Sequence, residues 1–472
     1  MGRIINAAGM HFETHVPVLV VGAGACGLVG ALKAHDCGAE VLVLEQDGTP
    51  AGSTALSSGF IPAAGTRFQA AAGIDDNPNL FASDIERKAK GLAAAPLVEL
   101  AAGNCGPVLE WLADSHGLEW VVIGDFLYPG HSRHRMHAVP ERTGAALMAR
   151  LLYAVEQAGI AIAAGALVTE LYTDGATVRG VGVTRKDGNR ETVGCDALLL
   201  ACSGFGGNAG LVAQHIPEMT DALFFGHAGN RGDALEWAAE LGGQLRDLSG
   251  YQGHGSVATP HGILISWALM MEGGIQVNAQ GRRFANEHLG YSEQAVEVLR
   301  QPDGVAWNIY DERLHRLGMG FEDYRDAVVA GAIRNAADIN GLSQVTGIPE
   351  DALADTIGTV ALYRAGALAD PFGRDFTGDI PLQPPFHAVR VTGAMFHTQG
   401  GAMIDGAARI VGPDGLPIGN ICAGGGAACG VSGPHASGYL SGNGLLTAVT
   451  FGAIAGETCA RLALETSASP AE

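Results

Sequence analysis

The hydrophobic pattern near the start of the chain changes period twice within thirty residues. An unbroken apolar run at 18–21 is followed at once by three glycines in the spacing GxGxxG and then by apolar residues at helical intervals. A second apolar run at 41–44 ends in Glu45. Continuous apolar runs are typical of buried parallel strands, and apolar positions every three to four residues are typical of a helix packed on them. The pattern predicts strand, tight turn, helix, strand and acid.

The glycines of this turn have separate physical roles. Gly22 makes the turn, Gly24 lets a pyrophosphate approach the backbone, and Gly27 allows the helix to pack closely on the strand. The helix N-terminus offers unpaired N–H groups to phosphate, and Glu45 stands where an acid accepts ribose hydroxyls. A lone GxGxxG is a weak signal in a chain with 70 glycines. Its complete strand–turn–helix–strand–acid context predicts a dinucleotide-binding α/β domain.

The pattern beyond this unit predicts further helices and hairpins. Apolar spacing predicts helices over 83–117 and 141–158. Short strands follow over 159–200, and the Asp-Gly pairs at 174–175 and 187–188 predict hairpin turns between them.

The domain organisation is predicted from a change of character in the middle of the chain. Strands punctuated by glycine give way to longer helical stretches over 253–396, which we interpret as an inserted second domain. The first domain is then split into 1–252 and 397–472. A strand near 420–423 returns to the first sheet, and a helix over about 444–464 points its N-terminus at the cofactor. The cleft between the two domains is the expected place for a small substrate.

Composition narrows the possible partners and the compartment. The net charge of -21 makes nucleic acid and anionic membrane poor partners, since both require basic patches. The eight cysteines form no CxxC pair, so no zinc or other metal site is expected. We expect the cysteines to be reduced, buried thiols. Reduced thiols suit the cytoplasm. No apolar run reaches membrane-spanning length and the first fifteen residues lack a signal-peptide core, so no integral membrane segment is expected.

Several motifs in a fixed order connect the chain to a known family. After the glycine-rich turn come SGFGGN, RFANE, FHTQGG and GNGLLTAVTFGAIAG. With these, the chain resembles the fumarate reductase/succinate dehydrogenase flavoprotein superfamily over nearly its full length. The resemblance implies FAD, a split Rossmann-type FAD-binding domain and an inserted α+β capping (catalytic) domain. Some members attach FAD through a histidine after the ribose-binding acid; the corresponding STALSSGF has none, so non-covalent FAD is expected.

The resemblance also implies which residues hold the cofactor. The expected FAD-binding positions are Gly22, Gly24, Ala25, Gly27, Glu45, Gln46, Gly52, Ser53, Thr54, Ser58, Gly59, Val168, Ala201, Ser203, Gly204, Asn208, Gly232, Asp233, Gly425, Gly442, Asn443, Gly444 and Leu445.

Two departures from the family pattern narrow the expected reaction. Tyr291 and Tyr439 stand where soluble fumarate reductases carry a proton-donating and a carboxylate-binding arginine. Tyrosines at both places make the chain similar to 3-ketosteroid Δ1-dehydrogenases and related desaturases of cyclic ketones. In that branch Gly442 matches, with a gap of one residue, a glycine whose N–H binds the ketone, and Tyr128 is a looser match to a third tyrosine. His397 matches a substrate histidine of fumarate reductases, although a structural role is equally open.

These matches imply an FAD-dependent α,β-dehydrogenation of a ketone, or its reversal. Tyr439 O–H and Gly442 N–H would stabilise the developing enolate, and Tyr291 would take the α-proton. Because a free tyrosine has a pKa of ~10, Tyr291 needs a neighbouring group that favours its ionised form. His288 and Tyr128 are the candidates for this group. The hydride then passes to the flavin, and the absence of a second GxGxxG implies a separate electron acceptor.

Two other functions remain open at this point. The chain could reduce an unsaturated acid, as fumarate or urocanate reductases do, with His397, Arg282, Arg283 or Arg390 binding the acid. It could also bind FAD without catalysing a reaction. The sequence leaves the oligomeric state open.

Overall fold

The computed structural model describes residues 3–468 as a mixed α/β structure. The strands are β1 Arg3–Asn6, β2 Thr14–Val21, β3 Val41–Leu44, β4 Ile61–Pro62, β5 Val121–Val122, β6 Met136–Ala138, β7 Ala161–Ala163, β8 Ala166–Asp174, β9 Thr177–Arg185, β10 Arg190–Leu200, β11 Leu223–Phe224, β12 Leu245–Arg246, β13 Tyr251–Ala258, β14 Ile263–Leu264, β15 Ile275–Val277, β16 Val305–Asp311, β17 Ile333–Ala336, β18 Phe386–Thr398, β19 Gly401–Ala402, β20 Arg409–Val411 and β21 Pro417–Ala423. The helices are α1 Ala25–Asp36, α2 Gly52–Ala55, α3 Arg67–Ala71, α4 Pro78–Lys88, α5 Ala95–His116, α6 Gly144–Gln157, α7 Ala209–His215, α8 Asp233–Glu240, α9 Ala268–Met271, α10 Tyr291–Leu299, α11 Glu312–Gly318, α12 Glu322–Val329, α13 Ile339–Thr346, α14 Glu350–Arg364 and α15 Asn443–Ala468.

The larger sheet is built around the predicted strand–turn–helix–strand unit. Its order is β1-β8-β9-β10-β2-β3-β7, with β21 also paired to β10 and β20 paired to β21. β2, β3, β7 and the end of β10 run parallel, and β21 joins them in parallel as predicted. The turns at 174–175 and 187–188 connect antiparallel neighbours, which confirms both predicted hairpins.

The predicted helix over 83–117 is wrong as a single element. Two helices, α4 and α5, occupy this stretch, and the backbone between them turns through positive φ at Lys90 (55°) and Gly91 (69°). Pro96 lies in the first turn of α5, where a missing N–H costs no hydrogen bond. The helix therefore stops and restarts because the backbone leaves the right-handed region.

Helices α1 and α15 cross at glycines, which brings their backbones close together. A Cβ at Gly456 would lie 2.1 Å from the Gly30 carbonyl oxygen, and one at Gly452 would lie 2.5 Å from the Cys26 carbonyl oxygen. Within 3–468, α15 is the one helix long and apolar enough to cross a membrane by length and composition. Since 67% of its apolar window is buried and it packs on α1 and the sheet, its apolarity is that of a core helix.

The second sheet carries the other half of the molecule. Its order is β14-β13-β18-β16-β15, and β11 and β17 also pair with β18. A separate hydrophobic core on this sheet includes Tyr291 and Tyr439 among its buried members. β18 continues through the predicted boundary at 396/397, so the domain boundaries remain predictions. The contact of Tyr439 with this core joins the C-terminal part of the chain to the inserted region.

Candidate active site

The two groups of predicted residues line a single large pocket between the sheets. We call the part around Gly22, Gly24 and Glu45 the glycine end, and the part around Tyr291 and Tyr439 the tyrosine end.

The glycine end is shaped by backbone that leaves no room for side chains. Gly22 has a φ of 105°, and a Cβ there would lie 2.5 Å from the Ala201 carbonyl oxygen. A Cβ at Gly27 would lie 1.8 Å from the Gly22 carbonyl oxygen. Gly24 caps the N-terminus of α1, so the first turn of α1 presents its N–H groups and partial positive charge to the pocket.

Glu45 is fixed at the end of β3 and faces the same pocket. Its Oε2 accepts a hydrogen bond from Ala23 N–H at 2.8 Å, and its Oε1 accepts one from Asp47 N–H at 2.9 Å. A carboxylate has about four acceptor positions, so both oxygens keep capacity for ligand hydroxyls. The backbone cradle and this buried acid fit the pyrophosphate and ribose of a dinucleotide.

Most of the predicted cofactor residues line the pocket. Besides Gly22, Gly24 and Glu45, they are Ala25, Gln46, Gly52, Ser53, Thr54, Ser58, Gly59, Val168, Ala201, Ser203, Asp233, Gly425, Gly442, Gly444 and Leu445.

Five predicted residues instead lie behind the pocket wall and support it. Gly27 packs on the Gly22 turn, and a Cβ at Gly204 would lie 2.0 Å from Thr398 Oγ1. Asn208 caps α7 with its side chain, and Gly232, with a φ of 90°, is the N-cap residue that precedes α8. Asn443 is fully buried and donates from Nδ2 to Ser432 Oγ at 2.9 Å. Their motifs mark the backbone that shapes the pocket.

The tyrosine end brings together aromatic rings from three separate segments. Tyr291 begins α10 after Gly290, whose φ is 142°, and Tyr439 precedes α15. Their ring centroids are 6.1 Å apart, and His254 of β13 stacks on Tyr291 at 4.8 Å. Tyr291 and Tyr439 are 7% and 5% exposed, so both phenols act in a poorly hydrated environment.

Burial controls the protonation of these phenols. It raises the pKa of both Tyr291 and Tyr439, while hydrogen bonding to Ser441 and Tyr439 lowers the pKa of Tyr291 in part. Tyr128 lines the pocket close enough to interact electrostatically with Tyr291. The other expected helper, His288, is outside the pocket lining and its Nε2 contacts the Met270 carbonyl oxygen at 3.2 Å. The expected role of His288 is therefore wrong, and Ser441 is the neighbour that hydrogen-bonds to Tyr291.

His254 is a site residue that the sequence analysis missed. Its Nδ1 accepts a hydrogen bond from Ser256 N–H at 3.1 Å, so the ring proton of the neutral form is on Nε2. Burial lowers the pKa of His254 to about 3, which keeps the ring neutral at physiological pH. The histidine lines the pocket and is suited to donate a hydrogen bond to a ligand. No local motif marks it, because only the packing of β13 on α10 brings it to Tyr291.

His397 is oriented by a chain of buried hydrogen bonds. Asn443 donates to Ser432, Ser432 Oγ donates to Gln399 Oε1 at 2.6 Å, and Gln399 Nε2 donates to His397 Nδ1 at 3.0 Å. This order favours the tautomer with the proton on Nε2. The Thr398 carbonyl oxygen, 3.2 Å from the same Nδ1, competes for it. A Cβ at Gly444 would lie 2.5 Å from His397 Nε2, so the glycine lets the imidazole approach the start of α15.

Among the described residues, no lysine or arginine lines the pocket. The three arginines that could bind an acid, Arg282, Arg283 and Arg390, lie outside the pocket lining. Arg283 pairs with Glu287 and Asp370, each at 2.6 Å, and Arg282 and Arg390 are exposed. Of the acid-binding candidates, only His397 is at the site, and burial lowers its pKa.

Comparison with known proteins agrees with this geometry. The FAD binding domain family matches residues 17–445. The chain belongs to this family. The predicted superfamily, the FAD cofactor and the α/β fold with a capping domain are thus confirmed, while the individual FAD-binding residues remain predictions. It is an FAD-dependent oxidoreductase.

Relatives of this FAD-binding chain include proteins with different named activities. It is 29% identical over 467 residues to a probable fumarate reductase of Shewanella frigidimarina, covering 97% of this chain and 77% of the relative. The open conformation of a flavocytochrome c3 fumarate reductase has a TM-score of 0.80 at 28% identity, covering 97% of this chain and 80% of that one. A 3-ketosteroid-Δ4-(5α)-dehydrogenase from Rhodococcus jostii has a TM-score of 0.76 at 22% identity, covering 97% of this chain and 99% of that one. At this identity the likeness shows a shared fold.

Proposed function

We propose that this protein catalyses the FAD-dependent α,β-dehydrogenation of a neutral, cyclic ketone. The observation that supports the proposal is the lining of the tyrosine end, which offers phenol and neutral imidazole donors without a lysine or arginine. A carboxylate substrate needs a cationic, usually bidentate partner. A ketone oxygen needs hydrogen-bond donors aimed at the charge that develops in the transition state.

The residues of the tyrosine end divide the work. Tyr439 O–H and Gly442 N–H polarise the ketone. Burial raises the pKa of Tyr439 more than the N–H groups of Gly444 and Gly442 lower it, so the phenol keeps the proton that it donates. Tyr291 removes the α-proton, and a hydrogen bond from Ser441 offsets part of the cost of ionising Tyr291 in a buried position. Bound FAD supplies the acceptor for the β-hydride. The rings of Tyr128, His254, Tyr291 and Tyr439 line this end of the pocket and exclude water from the reacting carbons.

A second candidate is the reduction of a conjugated C=C bond, as in the named fumarate reductases. Burial raises the pKa of Tyr291, so its protonated form dominates at neutral pH, and a protonated phenol suits proton donation to the α-carbon of the enolate that hydride addition to the β-carbon leaves. The same donors at Tyr439 and Gly442 would hold the carbonyl. The absence of lysine and arginine from the described pocket lining argues against a dicarboxylate substrate for this direction too.

Anaerobic stopped-flow spectroscopy of the FAD-loaded enzyme tests these functions. We expect saturated cyclic ketones to bleach the flavin, and we expect succinate to leave it oxidised. The panel includes a 3-ketosteroid because a structural neighbour is named for one. Reoxidation of reduced enzyme by fumarate or urocanate, without reduction by any ketone, would support the reductase. An unchanged flavin spectrum in both directions would support a binding role.

The proposal includes a separate electron acceptor and a reducing compartment such as the cytoplasm. The eight cysteines are free, and six of them are buried, which supports a compartment where disulfides do not form. An acceptor screen with the reduced enzyme, run with quinones and artificial dyes, tests the first part.

A further inference from the structure

The outer wall of the tyrosine end carries one acidic side chain that the proposed reaction does not use. Asp323, in the first turn of α12, lines the pocket together with Phe321, Leu264 and Ser266. Its position relative to the reacting end follows from a series of ring contacts. Tyr128 contacts Phe126 at 4.7 Å, and Phe126 contacts Phe321 at 5.8 Å. Asp323, two residues after Phe321, is therefore separated from Tyr128 by two successive ring contacts.

Asp323 has no partner of opposite charge within the described part of the chain. None of the side-chain hydrogen bonds and ion pairs between residues 3 and 468 involves its carboxylate. Partial enclosure by protein, followed by the like charges of Asp326 and Glu322, raises the pKa of Asp323 to about 6. The side chain is exposed and lines the pocket, so a ligand in the pocket can reach it. A carboxylate without a protein partner is an acceptor that a hydrogen-bond donor on the ligand can use.

Helix capping does not account for this position. An acid in the first turn of a helix interacts favourably with the helix dipole, and that interaction favours its charged form. The surroundings of Asp323 instead favour its neutral form, since they raise its pKa above the value in water. Glu322, exposed in the same turn, does not line the pocket, whereas Asp323 does.

We propose that Asp323 recognises a hydrogen-bond donor, a hydroxyl or an ammonium group, at the end of the ketone substrate remote from the reacting carbonyl. The proposal rests on the proposed function for the identity of the reacting carbonyl. It adds a substrate class: ketones with a polar donor at one end and an apolar body, which the aromatic wall between Tyr128 and Phe321 would contact. Asp323 is then a specificity residue, since it lies away from the reacting atoms.

Isothermal titration calorimetry of the FAD-loaded enzyme tests the proposal with matched probes. The first set is 4-(2-hydroxyethyl)cyclohexanone, 4-(2-aminoethyl)cyclohexanone and the isosteric 4-propylcyclohexanone. The second is the steroid pair testosterone and 4-androstene-3,17-dione, which differ in a hydroxyl remote from the 3-ketone. We expect the donor-bearing member of at least one set to bind roughly 10- to 100-fold more tightly than its partner, because a hydrogen bond to a charged group has about this effect.

Three variants separate charge recognition from packing. Asp323→Leu should abolish the preference for donors, Asp323→Asn should retain only the preference for the hydroxyl, and the neighbouring control Glu322→Gln should keep both. Equal binding of donor and isostere to the parent enzyme, absence of binding by all probes, or a preference that survives in Asp323→Leu would each overturn the proposal. A donor preference without flavin reduction by any ketone would support the role of Asp323 while contradicting the proposed reaction.

Discussion

The two ends of the pocket are made in opposite ways. The glycine end comes mainly from one continuous stretch, 18–45, and acts through backbone N–H groups and one carboxylate. The tyrosine end is assembled from β13, α10 and the segment before α15, and acts through side-chain hydroxyls and imidazoles. The first end is therefore disturbed by adding atoms and the second by removing them. A common cofactor needs a fixed cradle, while a change of substrate needs only a few exchanged side chains.

The largest effect is expected from a single methyl group at the glycine end. Gly27→Ala should abolish stable FAD binding, because the new Cβ would lie 1.8 Å from the Gly22 carbonyl oxygen. Gly103→Ala is the matched control: Gly103 is also inside a helix, nothing lies within 4 Å of its Cβ position, and Ala there should stabilise the helix by about 1 kcal/mol. The ratio of flavin to protein absorbance and the thermal midpoint measure both. Full FAD content in Gly27→Ala would contradict the close packing.

Removing a hydroxyl at the tyrosine end should leave FAD in place and slow the reaction. Tyr291→Phe should lower the rate of flavin reduction by an accepted ketone roughly 10²–10⁴-fold, the usual effect of losing a general base, with product binding retained. Tyr439→Phe should weaken product binding as well as slow reduction, since it holds the ketone in both states.

Tyr310→Phe is the control for this pair, because Tyr310 is a buried phenol outside the pocket. Its hydroxyl oxygen lies 2.8 Å from that of Tyr324, within hydrogen-bond distance. Stopped-flow reduction and ligand titration apply to all three variants. A normal rate in Tyr291→Phe would remove it as the base and leave Tyr128 and His397 as candidates.

A smaller effect is expected at Glu45. Glu45→Ala should weaken FAD binding roughly 10- to 100-fold, since a hydrogen bond to a charged group contributes about 1.5–3 kcal/mol, while the fully loaded variant should reduce its flavin at a normal rate. Titration of the apoprotein with FAD gives the affinity. Glu99→Ala, a surface acid on α5, is the comparison, and equal affinities in the two variants would show that Glu45 does not hold the ribose.

The smallest effect is expected from the hydrogen-bond chain behind His397. Gln399→Leu should leave His397 Nδ1 facing only the Thr398 carbonyl oxygen, so the ring proton should move from Nε2 to Nδ1. The ¹⁵N chemical shifts of the two ring nitrogens would exchange their order, and the reductive rate should fall by at most about tenfold, the effect of one neutral hydrogen bond. Identical ¹⁵N shifts in parent and variant would mean that Gln399 does not select the tautomer.

The same contrast explains what could be predicted from the sequence. The turn at Gly22, the acid at Glu45 and the hairpins were predictable because each depends on neighbours along the chain. The stacking of His254 on Tyr291 depends on two elements that only the tertiary fold brings together. The break between α4 and α5 depends on a positive φ at Lys90, a residue type that rarely adopts it. The roles of Gly204 and Asn443 behind the wall could not be distinguished from contact with FAD, because both follow from the same motifs.

The glycine contact between α1 and α15 has a consequence for how the protein is made. α1 leaves the ribosome long before its partners Gly452 and Gly456, which lie more than 400 residues further along the chain. The apolar face of α1 that packs on α15 therefore stays uncovered while the intervening residues are synthesised. Contacts of such long sequence separation form slowly and expose intermediates to aggregation. FAD present during synthesis should raise the yield of soluble protein more than FAD added afterwards. A ligand that binds only the folded protein stabilises it relative to unfolded and partly folded forms.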